Sequence, residues 1–147
     1  MKSIKILLYT VAMCLLVQTV VTAQTSNVSE TFKTHFNKTV TQVADADNAD
    51  NKRAILNNSF DKMKTAINRI ETSGQLSPAE LAGLNAFKSD IDLKSAELNG
   101  LNGFSIVTDE DLDDFSKYAQ QAIEQADRNV TIGLGTVLLI IIILLLL

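Results

Sequence analysis

Tryptophan is absent from the 147 residues, and cysteine, histidine and proline each occur once, as Cys14, His35 and Pro78. Cys14 sits in an apolar N-terminal run, so the rest of the chain has neither a disulfide nor thiol chemistry. A single histidine excludes His-rich metal sites, and the Glu-x-x-His pairs of carboxylate-bridged bundles do not occur. No Gly-x-Ser-x-Gly turn, phosphate-binding loop or dinucleotide fingerprint is present. Aromatic residues make up 5% of the chain, too few for a sugar-stacking platform. Positive charge is also in deficit: 13 Lys and Arg stand against 17 Asp and Glu, net −4, which excludes the basic face a nucleic-acid binder needs. The chain is therefore expected to be non-enzymatic, with no catalytic, cofactor-binding or metal-ligating residue assigned.

What the sequence has instead lies at its two ends. Residues 1–23 read as a signal peptide: Lys2 and Lys5 form a basic start, 6–21 is almost wholly apolar, and Val21, Thr22 and Ala23 fit a peptidase site before Gln24. An uncleaved anchor is the alternative. A lipoprotein site at Cys14 is disfavoured by bulky Met13 beside it. Loss of Lys2 and Lys5 with the leader takes the net charge from −4 to about −6. At the other end 131–147 carries no charge, and 137–147 contains only Val, Ile and Leu. Seventeen helical residues reach roughly 25 Å, slightly short of a hydrocarbon core near 30 Å, a mismatch that local thinning accommodates. This segment is expected to be a C-terminal transmembrane helix in contact with the lipid bilayer. A removed lipid-anchor signal with attachment at Asn129 is the alternative, although Val130 and the short apolar spacer match that pattern poorly. Gly133 and Gly135 read as a joint between body and anchor.

Between the ends, 24–130 is expected to be an extracytoplasmic helical domain, on the periplasmic side or at the cell surface. Val28, Phe32, Phe36, Val40 and Val43 recur at helical spacing and predict a first helix over 28–45, with Asn27 and Glu30 resembling a capping box. The segment after Asp45 allows a hinge or a continuing helix. Leu56, Phe60, Met63, Ile67 and Ile70 repeat every 3.5 residues, a coiled-coil seam over 49–72 that ends at Ser73 and Gly74. Ser77, Pro78 and Glu80 open a third helix with a capping box and proline at its first position. Its apolar face is Leu81, Leu84, Phe87, Ile91 and Leu98, with Lys94 on the seam. Asn99 and Gly100 end it. Leu101, Phe104, Ile106 and Val107 in the following link are expected to fold back over the bundle end. Thr108 starts a fourth helix, with Asp111 as a weaker cap partner and Leu112, Phe115, Ala119, Ala122 or Ile123, and Ala126 as its stripe, running to 128–129 and almost directly into the anchor. Strand-like alternation is missing. Short links favour antiparallel neighbours, so the expected fold is all-α, a small up-down bundle of about four helices, closed by itself or by a second chain.

The remaining polar clusters are weak as sites. Asp45, Asp47 and Asp50 fail an EF-hand count, since the fifth, sixth and twelfth positions are Ala49, Asp50 and Leu56. Glu110, Asp113 and Asp114 suit the positive end of a helix dipole. His35 with Met63 is too little for a haem site, because Met63 belongs to the core seam. Asn27, Asn37, Asn57 and Asn129 begin N-glycosylation sequons, meaningful only in a glycosylating host. The pattern of leader, helical body and bare apolar tail is one that unrelated proteins share. It points to a membrane-anchored structural or interaction module whose partner is another protein or a second copy. A small-ligand or divalent-metal bundle is the competing reading, and it requires a polar pocket near His35 or the acidic turns.

Overall fold

The computed structural model describes residues 28–126 and 133–147, and every regular element among them is helical. The expected leader, the body–anchor junction and the sequons at Asn27 and Asn129 lie outside the described residues. Helix α1 spans Val28–Asp45, α2 Ala49–Thr72, α3 Pro78–Asn99, α4 Leu112–Ala126 and α5 Leu134–Leu146. A 3-10 turn, Asp109–Asp111, leads into α4.

The first three boundaries fall where local chemistry puts them. The segment after Asp45 is a hinge: Asn48 adopts an extended conformation and its side chain accepts a hydrogen bond from the Asn51 amide, so α2 begins afresh. Gly74, at φ +67°, takes the left-handed conformation just past the end of α2. Ser77 and Glu80 form the reciprocal capping box with Pro78 behind it. Gly100 (φ +66°) then closes α3 in a Schellman arrangement, Leu101 N–H bonding Ala96 O at 2.8 Å and Gly100 N–H bonding Glu97 O. The start of α4 differs from expectation. Thr108 makes no backbone cap; its hydroxyl donates to the Asp111 carboxylate at 2.7 Å, and the chain tightens into the 3-10 turn before the helix proper.

Helices α1 to α4 form the expected antiparallel bundle, α1 packing on α2 and α4, and α3 on α2 and α4. The core is the predicted set with few exceptions: Phe32, Phe36, Leu56, Phe60, Met63, Ile67, Leu84, Phe87, Ile91, Leu98 and Leu112 are fully buried or nearly so. Phe32 reaches Phe87 at 5.1 Å between ring centroids, and Phe36 lies on Phe60 at 5.5 Å. One buried polar pair sits among them, Thr39 and Ser59 with hydroxyls 2.7 Å apart across the α1–α2 seam. The links 46–48 and 100–111 share one end of the bundle, here the upper end, because Arg53 near the start of α2 donates to Leu98 O and Val107 O, each at 2.7 Å. The opposite, lower end holds the link 73–77 and the start of α5, where Gly133 N–H donates to Glu80 Oε1 at 2.8 Å.

Two segments depart from expectation. Among the described residues no helix is long and apolar enough to cross a membrane. The tail is instead a 13-residue helix, about 20 Å long, lying on α1 and α2. Ile140 is completely buried there, and Leu139, Ile143, Leu144 and Leu147 pack against the core. The physical reason is that a helix apolar on every side finds apolar surface in the α1–α2 groove and covers half of itself. Its other side remains open, with Leu145 75% and Leu146 77% exposed. The second departure is the link after α3. Leu101, Phe104 and Ile106 do not fold back over the bundle end but stand in solvent, and only Val107 packs on the core. The Schellman closure and a tight turn at Asn102 (φ 55°) and Gly103 (φ 88°) reverse the chain within the link itself.

Candidate functional site

A cleft of about 600 Å³ lies on the α1–α2 face. It exists because the seam loses its large apolar residues there. Helix α1 presents His35, Thr39 and Gln42, and α2 presents Ala54, Asn58, Ser59 and Lys62. Small and polar side chains at consecutive turns leave open space in front of the buried Thr39–Ser59 pair. Asp45 and Asp47, both exposed, edge the cleft toward the upper end.

His35 is the distinctive group. Its Nε2 is buried and has no hydrogen-bond partner among the described residues. Burial, with the positive charges of Lys62 and Lys38 beside it, holds its pKa below the ordinary 6.5. The imidazole is therefore neutral at pH 7, and its free nitrogen can accept from a donor or give a proton to an acceptor. Lys62 on the opposite helix supplies a cation to the same cleft. Neutral imidazole, ammonium, amides of Asn58 and Gln42, and an apolar floor at Ile55 make a recess for a small polar molecule. Ser59 is bonded to Thr39, Thr39 also lies 3.4 Å from His35 O, and among the described residues no hydrogen bond joins a hydroxyl to the imidazole.

The other sequence candidates are not brought together. Asp50 does not join Asp45 and Asp47 at the cleft, and Asp113 and Asp114 are taken by Lys52 at 2.6 Å and Lys117 at 3.2 Å, leaving Glu110 exposed. Met63 is fully buried in the core. Among the described residues no group of three His, Cys, Asp or Glu side chains could hold a metal ion. The sequon at Asn57 is structurally committed, since its amide pairs reciprocally with Asn99 at 2.8 and 3.2 Å and its Ser59 is buried. Asn37 is exposed, with its carbonyl accepting from Gln120.

The competing small-ligand reading asked for a polar pocket near His35 or the acidic turns, and a recess does lie at His35, but sequence reasoning did not name the residues that line it. The available signal was the pairing of Thr39 and Ser59 at seam positions, where large apolar residues are otherwise the rule. Compared with known proteins, the chain matches no family model, no curated protein and no solved structure.

Proposed function

We propose that this chain is a non-enzymatic, membrane-held helical module, exported by residues 1–23 and attached on the extracytoplasmic side through 131–147, with its body serving protein interaction. The observation that carries this reading is the tail: eleven consecutive Val, Ile and Leu residues at 137–147, of which a docked helix covers only one side. A helix docking permanently on a protein surface needs apolar residues on one stripe; apolarity on every side suits a hydrocarbon surrounding. The test is to express the full chain in its native host and strip the membranes with alkaline carbonate, followed by intact mass measurement. The reading expects a carbonate-resistant species with the mass of 24–147. A carbonate-soluble species, or one lacking the tail or carrying lipid near Asn129, overturns it.

A second reading, a small-ligand bundle, is favoured by the cleft at His35, because a buried imidazole nitrogen without a partner leaves a hydrogen bond open to a guest. It expects a thermal shift with a small polar anion or amide that His35→Phe removes. Absence of any shift across such a panel overturns it.

A further inference from the structure

The link between α3 and α4 exposes Leu101 (57%), Phe104 (41%) and Ile106 (57%), three large apolar side chains within six residues. A floppy loop would give this little meaning, but the segment is over-determined. Its start is closed by the Schellman bonds at Gly100, and Phe104 N–H bonds Leu101 O at 3.0 Å across the turn. A Cβ on Gly100 would lie 2.9 Å from Ile106 N, so the two strands of the link touch there and admit only glycine. The Arg53 guanidinium ties both ends down, donating to Leu98 O, Val107 O and the Asp109 carboxylate. The chain thus holds apolar side chains rigidly in water, where folding alone is served equally by polar ones. A preorganised apolar tip loses little conformational entropy on binding.

The surroundings of the tip define what it fits. From 95 to 116 the chain has no Lys or Arg; of its six carboxylates Glu97, Asp109, Asp113 and Asp114 pair with Lys94, Arg53, Lys52 and Lys117, while Glu110 and Asp111 have no ion-pair partner among the described residues. Asp109, Glu110 and Asp111 are exposed directly beside the apolar residues. Arg53, which pairs with Asp109, is largely covered and turned onto backbone carbonyls. An apolar tip in an acidic collar is complementary to an apolar depression rimmed by Lys and Arg. An anionic bilayer repels that collar, and a second copy of this net-negative chain brings more carboxylates than cations. The tip also lies at the upper end, while α5 begins at the lower end, a helix length of about 33 Å away. If the tail holds the membrane, as proposed above, the tip points away from it.

We infer that the 101–106 tip is a docking element for a protein partner whose receiving face is an apolar depression with a basic rim. The test uses the full-length protein with a benzophenone attached at Ser105→Cys, irradiated in three settings: host envelope extract, vesicles of phosphatidylcholine with phosphatidylglycerol, and the protein alone at rising concentration. The expected result is one protein adduct from the extract. Its yield falls at least about tenfold with Phe104→Asp, falls also with Glu110→Lys plus Asp111→Lys or with added salt, and its crosslinked surface carries Lys and Arg. Both sites are exposed, so melting is expected to be unchanged; Leu101→Ser replaces Phe104→Asp if that variant unfolds. Lipid adducts, a homodimer, an adduct indifferent to these substitutions, or no adduct overturns the inference. A carbonate-soluble protein that still gives the adduct overturns the membrane-held reading and supports this one.

Discussion

Glycine at two helix ends shows how differently one residue type is used. Gly74 and Gly100 share the left-handed conformation, at φ +67° and +66°, but a Cβ at Gly74 meets open space while one at Gly100 meets Ile106 N at 2.9 Å. Gly74→Ala is expected to lose about 1 kcal/mol, the price of the conformation alone. Gly100→Ala is expected to lose about 2–4 kcal/mol, since backbone strain is joined by displacement of the link. Urea unfolding of the two variants checks this, and equal losses would mean that the 100–106 contact is not tight. His35 gives a pH signature. An unfolded histidine titrates near 6.5 and the folded one lower, so the unfolded chain takes up the proton first. The contribution of this group to stability is complete above about pH 6.5 and declines as pH falls toward the folded pKa. Lys62 and Lys38 repel the charged form, while Asp45 and Asp47 face the same cleft from its edge. The urea midpoint of the natural protein is expected to drop between pH 7.5 and pH 5.5 by more than that of His35→Gln; parallel drops would assign the dependence to the carboxylates.

At the scale of elements, the Thr39–Ser59 pair separates what was legible in the sequence from what was not. The stripes Phe32, Phe36, Val43 and Leu56, Phe60, Met63, Ile67 predict α1 and α2 almost to the residue, because apolar periodicity and the stop at Ser73 and Gly74 agree. The same holds for the capping box of α3. The partner across the seam is not written in any local pattern, so neither the buried hydroxyl pair nor the cleft in front of it follows from periodicity. The 101–107 link misleads for a related reason: apolar composition predicts burial, but the Arg53 clamp that holds the link outward comes from a residue about fifty positions earlier. The hydroxyl pair yields a double-mutant cycle. Thr39→Val or Ser59→Ala alone leaves the other hydroxyl buried without its cross-seam partner and is expected to lose about 1–3 kcal/mol. The double variant is expected to be no worse than the poorer single one, giving a coupling of about 1 kcal/mol or more. Strict additivity would show that the two hydroxyls do not depend on each other.

For the whole molecule, the proposed membrane attachment gives the tail a second environment beside the docked one. Docked on α1 and α2, it buries Ile140 fully, worth about 1.5–3 kcal/mol, and covers parts of four further aliphatic side chains. Placed in a bilayer, eleven aliphatic residues gain about 3–7 kcal/mol on an insertion scale, but the groove on α1 and α2 is then uncovered. The medium therefore decides, and the two environments treat individual residues differently. In the docked helix Ile140 is buried while Leu145 and Leu146 face water, whereas in lipid all three sit in hydrocarbon. In membrane-free buffer, Ile140→Ala is expected to destabilise the full chain by about 2–4 kcal/mol. Leu145→Ala and Leu146→Ala together are expected to stay within about 0.5 kcal/mol, as surface changes do. For binding to phosphatidylcholine vesicles the order reverses, since the double variant removes twice the apolar surface of the single one. Urea unfolding without vesicles and flotation with them measure the two sides. A tail that serves only as the fifth helix of the bundle would show the first ranking in buffer and no difference in flotation. A tail that never docks would show no penalty for Ile140→Ala in buffer.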